Sequence, residues 1–175
     1  MARSGSRPGS RGMASPGARP RTAARLAAVQ ALFQSDQSGD APESVIDEFV
    51  RHRLGPAAER NAYEEGRVPE AEIALFTRIV HAAAAGQPAR DSLLTTSLPA
   101  DWPLGRLDPV LLALLRAALA ELAMPDGPPA RVVINEYVDV AHEFFGAEEP
   151  RLVNAVLDRL GRLLRAAEFP APAAG

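Results

Sequence analysis

The chain has 175 residues, which is enough for one domain or two small subdomains. Hydrophobic residues make up 47% of it and aromatic residues only 5%, so a core can form, mainly from Leu, Val, Ile and Ala. The absence of cysteine excludes disulfides, iron–sulfur clusters and a thiol nucleophile, and it is typical of a reducing compartment such as the cytoplasm. No apolar run approaches the roughly eighteen residues of a membrane-spanning helix, so no membrane segment is predicted.

The net charge of −3 conceals an uneven distribution of charge along the chain. Residues 1–35 contain no acid and six arginines: Arg3, Arg7, Arg11, Arg19, Arg21 and Arg25. A basic arm on an acidic body predicts a polyanionic partner, and the alternative is a solubilising tail. Residues 1–18 are rich in Ser, Gly, Arg and Pro and are predicted to be a disordered arm.

The first helix is predicted to begin near Pro20, where apolar residues start to recur at helical spacing. Leu26 and Phe33 fall on one side of this helix. Arg21 and Arg25 lie four residues apart on another side, so both are candidates for contact with a polyanion.

Three further helices are predicted in the first hundred residues, at 43–54, at 69–86 and around 88–97. Pro69 suits the first turn of the second of these helices, and Gly86 suits its end. The segment 57–68 is ambiguous and is interpreted as partly loop.

The second half is predicted to contain the central helix of the fold. Asp108 and Pro109 form an N-cap followed by proline at the first helical position. The segment VLLALLRAALAELA that follows has only Arg116 and Glu121 as charged residues, so this helix should be buried. Two more helices are predicted at about 130–145 and 150–167. No strand pattern of useful length occurs, so the predicted fold is all-α, a helical bundle of about seven helices.

The stretch INEYVDVAHEFFG, at 134–146, concentrates polar groups that could form a metal or acid–base site. On a helix its apolar residues, which include Phe144, fall on one arc. Its polar residues fill the opposite face: Asn135, Glu136, Asp139, His142 and Glu143. Because a metal site in a bundle needs inward-projecting ligands, we interpret this face as solvated and Phe144 as buried. We predict no catalytic residue, no metal site and no cofactor, and interpret the chain as a binding protein rather than an enzyme.

Two segments resemble the bacterial transcription antitermination factor NusB family. RTAARLAAVQALFQ is similar to the family's first helix, an Arg-rich start followed by Ala-x-Gln-x-Leu-aromatic. The segment 111–160 is similar to the family's C-terminal half. In that half a Leu-Arg helix ending in Glu-Leu precedes Pro, then Val-x-Ile-Asn-Glu-x-Val, Phe-Gly and Val-Asn-x-Val-Leu-Asp. The resemblance covers about residues 19–165.

The resemblance implies an all-helical fold of two three-helix subdomains, within a domain that we place at 19–168, before a disordered tail at 169–175. It implies binding of the single-stranded boxA RNA together with NusE, a small-subunit ribosomal protein that doubles as a transcription factor. The complex would join RNA polymerase and other Nus factors and support ribosomal RNA transcription. At matching positions, Arg19, Arg21 and Arg25 would bind RNA, and Phe33 would lie near the NusE surface.

The chain departs from the family pattern at several positions. Phe33 replaces the usual Tyr, and Leu152 replaces the usual Phe before Val-Asn, where Leu cannot stack on a base as an aromatic ring can. Two alternatives remain. One is a stand-alone relative of the NusB-like domain of ribosomal RNA cytosine methyltransferases, which the lack of a Rossmann-like segment and of cysteine disfavours. The other is a homodimer whose interface occludes the RNA face.

Overall fold

The computed structural model describes residues 19–54, 71–171 and 173. Within these ranges the chain forms seven α-helices: α1 Arg19–Ser38, α2 Pro42–His52, α3 Ile73–Ala85, α4 Gln87–Ser97, α5 Pro109–Leu122, α6 Ala130–Phe144 and α7 Glu148–Leu164. Two short 3₁₀ turns cover Leu104–Arg106 and Ala166–Glu168. The predicted all-α class is confirmed. The predicted arm at 1–18 and the ambiguous segment 57–68 lie outside the described residues.

Local signals account for the start of α5 and the end of α1. Asp108 caps α5, since its carboxylate accepts hydrogen bonds from the backbone N–H groups of Val110 at 2.8 Å and Leu111 at 3.4 Å. The chain leaves α1 at Gly39, whose φ of 77° lies in the left-handed region that glycine adopts without strain. Its N–H donates to the carbonyl of Ser35, which closes the last turn of α1.

The start of α3 differs from the prediction, which placed it at Pro69. The helix begins at Ile73, and Glu72 before it has an extended backbone. The N–H of Glu72 donates to the carbonyl of Pro20 at 2.8 Å, so this part of the chain is tied to the start of α1. A contact between distant parts of the chain therefore sets this boundary, and helical periodicity alone does not report it.

The helix α5 lies at the centre of the bundle, as predicted, and eleven of its fourteen residues are buried. On one side of it α1, α2 and α3 pack against one another, and on the other side α6 and α7 pack together. The helix α1 is more deeply buried than its sequence pattern predicts. Its small residues allow neighbouring helices to approach closely from several directions: Ala24, Ala27, Ala28 and Ala31.

Arg116 of α5 connects three helices through ion pairs. Its guanidinium donates to Asp36 of α1 at 2.7 Å and to both carboxylate oxygens of Asp91 of α4 at 2.8 and 2.9 Å. The hydrogen bonds that Arg116 donates to Asp91 raise the Arg116 pKa against the opposing effect of burial. The lone arginine of the central helix therefore satisfies its charge through long-range ion pairs.

The chain after α7 folds back as a short segment, 165–169, here called the C-terminal strap. Arg165 donates to the carbonyl oxygens of Leu122 and Met124, each at 2.9 Å, and also to that of Pro128. Phe169 is only 8% exposed, because its ring covers Gly161 on α7. Phe169, the first residue of the predicted tail, is therefore packed against α7 by a contact that depends on the tertiary fold.

Candidate functional site

The start of α1 contains a buried network centred on Arg25, which is 2% exposed. Its guanidinium donates to both carboxylate oxygens of Glu121 on α5, at 2.7 and 3.0 Å, and to Glu136 on α6 at 3.1 Å. The Tyr137 hydroxyl donates to Glu121 at 2.9 Å, and the Thr22 hydroxyl donates to Glu136 at 2.8 Å. The network joins α1, α5 and α6 through groups that are largely removed from water.

The charges within this network stabilise one another. Burial alone would lower the Arg25 pKa, but the hydrogen bonds and charge of Glu121 outweigh it, so the pKa is raised and the guanidinium stays charged. Burial, with the nearby charge of Glu121, raises the Tyr137 pKa well above its ordinary value, which keeps the hydroxyl protonated as a donor. Removing Arg25 or Glu121 would leave a buried charge without its partner.

The burial of Arg25 disfavours its predicted contact with RNA. A phosphate contact needs an accessible guanidinium, and that of Arg25 is enclosed and bonded to two carboxylates. The sequence contains a signal for this pairing. Arg25 stands among alanines in α1, and Glu121 is one of two charges in an otherwise apolar α5, so two isolated charges of opposite sign in buried helices should meet.

The other two arginines assigned to RNA lie at the open end of α1. Arg19 is the first residue of α1, and its side chain lies outside the described part of the structure. The Arg21 side chain is 60% exposed and donates to Glu72 at 3.3 Å. It lines a cleft of about 340 Å³ between the start of α1, α3 and the turn at 123–129, here called the arginine cleft. Arg78 lines the same cleft from α3.

A groove lies along the other half of α1. Phe33, the residue assigned to the partner surface, lines it together with Phe144 of α6, and the groove encloses about 530 Å³. Three amide side chains of α1, one hydroxyl and one cation form its polar part: Gln30, Gln34, Gln37, Ser38 and Arg53. Here this is called the aromatic groove. The side-chain oxygen of Gln30 is buried there without a hydrogen-bond partner in the described part of the chain.

The prediction that Phe144 is buried is wrong, because the residue is 37% exposed. It lies on the apolar arc of α6, as the projection requires, but it is the last residue of that helix. The core ends one turn earlier, with Val140 and Ala141. The ring of Phe144 therefore reaches the groove rather than the interior.

The polar face of α6 is mostly solvated, as predicted. Asn135, Asp139, His142 and Glu143 are exposed, but Glu136 is an exception, since its side chain is 22% exposed and bonds to Thr22 and Arg25. No group of three or more His, Asp or Glu side chains capable of holding a metal ion occurs in 19–54 or 71–171. No helix in the same ranges is both long and apolar enough to cross a membrane.

The fold and these sites define a class: an all-α bundle whose first helix has an arginine cleft at one end and an aromatic groove along the other half. Residues 22–162 match the sequence model of the NusB family, and the chain belongs to that family. It is 60% identical over 151 residues to the transcription antitermination protein NusB of Granulibacter bethesdensis, covering 86% of this chain and 93% of the relative.

Solved structures share the fold at lower sequence identity. NusB of T. maritima superposes with a TM-score of 0.67 at 24% identity, covering 86% of this chain and 96% of the other. A crystal structure of the antitermination factors NusB and NusE in complex with dsRNA has a chain that superposes with a TM-score of 0.64 at 21% identity. That match covers 83% of this chain and 98% of the other. At these identities the similarity shows the fold.

Proposed function

We propose that the protein is a transcription antitermination factor that binds boxA single-stranded RNA together with NusE and supports ribosomal RNA transcription. It acts in the cytoplasm, with RNA polymerase and other Nus factors, and without catalytic chemistry of its own. The observation that carries the proposal is the division of α1, where the exposed Arg21 stands at one end and the aromatic groove occupies the other half. The high identity to a transcription antitermination protein supports it.

The RNA contact is assigned to the open end of α1. Arg21 presents an exposed guanidinium, and Arg19 begins the same helix. Arginine contacts phosphate oxygens with two parallel hydrogen bonds, and such contacts position a strand without reading its sequence. The acid-free sequence before residue 36 favours this end of the molecule for a polyanion. Arg25 stabilises this surface indirectly, because its ion pairs hold α1 against α5 and α6.

The partner contact is assigned to the aromatic groove. Phe33 and Phe144 present partly exposed rings there, and amide side chains of α1 can form hydrogen bonds to a docked chain. Exposed aromatic rings beside polar groups are typical of the energetically important centre of a protein interface. A solved chain with the same fold is described in complex with NusE and dsRNA, which supports NusE as the partner.

RNA binding is tested by replacing Arg21 with Ala and measuring affinity for a boxA oligonucleotide over a range of salt concentrations. Loss of one phosphate contact should weaken binding and reduce the slope of log K against log salt by about 0.7. Arg106 supplies a matched control, since it is also exposed but precedes α5, at the end opposite the arginine cleft. An unchanged slope in Arg21→Ala would remove Arg21 from the RNA surface.

Partner binding is tested separately with Phe33→Ala and Phe144→Ala in co-purification with NusE. Both variants should lose NusE while RNA binding by the protein alone is retained. Val132→Ala is the control variant, because Val132 is an apolar residue of α6 that is 45% exposed and does not line the groove. Equal retention of NusE by all three variants would place the partner surface elsewhere.

Size-exclusion chromatography of the same samples tests the alternative homodimer. A homodimer would elute at twice the mass of the monomer, and dilution would dissociate it and increase RNA binding.

A further inference from the structure

The arginine cleft contains a second exposed guanidinium that the resemblance to the family does not assign. Arg78 enters the cleft from α3, whereas Arg21 enters it from α1, and the Arg78 side chain is 50% exposed. Each of these arginines is bonded to a single exposed carboxylate. Arg21 donates to Glu72 at 3.3 Å, and Arg78 donates to Asp126 at 2.7 Å. Two exposed cations therefore face one cleft, which the buried Arg25 also lines, and each exposed cation has a carboxylate neighbour.

The Arg78–Asp126 pair can exchange its carboxylate for a phosphate group. The Asp126 side chain is 70% exposed, and an ion pair between two exposed side chains contributes little stability in water. The arginine side chain is well suited to the replacement, since its planar fork matches phosphate oxygens as well as carboxylate oxygens. The hydrogen bond from Arg78 lowers the Asp126 pKa, so the carboxylate is charged at neutral pH and competes with any anion there.

Asp126 is held at the cleft by the C-terminal strap. It belongs to the turn at 123–129, and Arg165 donates to carbonyl oxygens on both sides of Asp126, those of Met124 and Pro128. Gly127 leaves the space that this requires, because a Cβ atom there would lie 2.9 Å from the Arg165 guanidinium. These hydrogen bonds from Arg165 fix the backbone around Asp126. The Asp126 carboxylate therefore stays near Arg78 when Arg78 turns toward a ligand.

We propose that Arg78 is an additional phosphate-contacting residue of the RNA surface, and that Asp126 is a fixed competitor that weakens RNA binding at this position. The proposal rests on the proposed function, in which Arg21 contacts RNA at the same cleft. The ligand class is the phosphodiester backbone of single-stranded RNA. Because a backbone contact carries no sequence information, the competitor reduces affinity for every RNA, and discrimination comes from contacts elsewhere.

The first experiment measures binding of two oligoribonucleotides of equal length, one with boxA and one scrambled, over a range of salt concentrations. Arg78→Ala should weaken binding to both and reduce the slope of log K against log salt by about 0.7. Asp126→Asn should strengthen binding to both by about one and a half to fivefold, the range expected for releasing an exposed ion pair. Arg106→Ala should change neither quantity. The altered side chains are exposed, so all variants should remain folded, and melting curves verify this.

The second experiment is the double variant Arg78→Ala/Asp126→Asn. If Asp126 acts by competing for Arg78, the gain from Asp126→Asn disappears when Arg78 is absent. A gain that persists in the double variant overturns the competitor role, because Asp126 would then repel RNA directly. An unchanged affinity and slope in Arg78→Ala overturns the phosphate contact.

Arg21→Ala separates failure of this inference from failure of the proposed function. If Arg21→Ala reduces the slope and Arg78→Ala does not, the RNA surface stands and Arg78 is excluded from it. If neither variant alters RNA binding, the arginine cleft is not an RNA surface, and both proposals fail at this site. A reduced slope in each single variant supports both.

Discussion

Arg21 and Arg25 lie one helical turn apart on α1, and the regions they enter differ in solvent, partners and expected role. The buried network around Arg25 contains a guanidinium that is 2% exposed and bonded to two carboxylates from two other helices. The arginine cleft around Arg21 contains exposed side chains in single ion pairs. Removal from water makes the first set of contacts strong and mutually dependent, whereas water and salt weaken the second. Identical side chains therefore hold the fold in one region and remain free to exchange partners in the other.

The strongest test of this comparison is Arg25→Ala. The change leaves Glu121 buried without its cation, so we expect a loss of about 3–5 kcal/mol in the free energy of unfolding, measured with urea. Arg21→Ala is the matched control on the same helix and should change stability by no more than about 0.5 kcal/mol. Similar losses for both variants would show that burial does not separate the two arginines.

Aromatic residues extend the same contrast from charges to apolar groups. Phe49 is fully buried and stacks on Phe76 with ring centroids 5.6 Å apart, so Phe49→Ala should cost about 3–5 kcal/mol. Phe144→Ala should cost roughly 1–2 kcal/mol, because the ring is only partly removed from water. Urea unfolding of both variants measures the difference. Equal costs would mean that the aromatic groove is closed in solution.

Tyr137→Phe tests the hydroxyl within the buried network. Loss of its hydrogen bond to Glu121 should cost about 1 kcal/mol at neutral pH. The folded-state pKa of Tyr137 is raised above 10.0, so its contribution to stability is present below pH 10 and is lost as the pH rises toward the folded-state pKa. Unfolding measurements at alkaline pH should therefore show a smaller decline in the variant than in the parent protein. Parallel declines would contradict the assignment.

The last comparison lies on the polar face of α6, where Glu136 joins the network and Asp139, with the smallest expected effect of all, does not. Asp139→Ala should change stability by no more than about 0.5 kcal/mol, since the residue is exposed. Glu136→Ala should cost more, about 1–3 kcal/mol, because it removes hydrogen bonds from Arg25 and Thr22. Thermal or urea unfolding can rank the two variants. The reverse order would show that Glu136 is a surface residue in solution.

The helix pattern was largely predictable from local features. The Asp108–Pro109 start of α5, the end of α3 near Gly86 and the apolar stripe of α6 all depend on residues close together in the chain. The start of α3 was not predictable in this way, because it depends on the hydrogen bond from Glu72 to Pro20. Phe169 is likewise buried because Gly161 has no side chain in the space that the Phe169 ring occupies. The pattern of neighbouring residues in the sequence does not reveal this contact.

The candidate site was predictable only in part. The family resemblance predicts that Phe33 lies near a partner surface, and in the structure Phe33 lines a groove with Phe144, from a helix more than a hundred residues later. Arg25 is buried although it was predicted to contact RNA, since a count of arginines cannot distinguish an exposed cation from a buried one. No sequence signal marks Arg78, because it lies on α3 and reaches the arginine cleft only when α3 packs beside α1.

By itself, the sequence determined the helices, their approximate order and the buried character of α5, since these depend on spacing and side-chain type over a few turns. It also carried the family resemblance. The tertiary structure alone decided which charges pair, which aromatic rings remain open to solvent and which arginines share a cleft. The physical reason is that burial and electrostatic partnership depend on distances between helices, and the residues that set those distances are far apart in the chain.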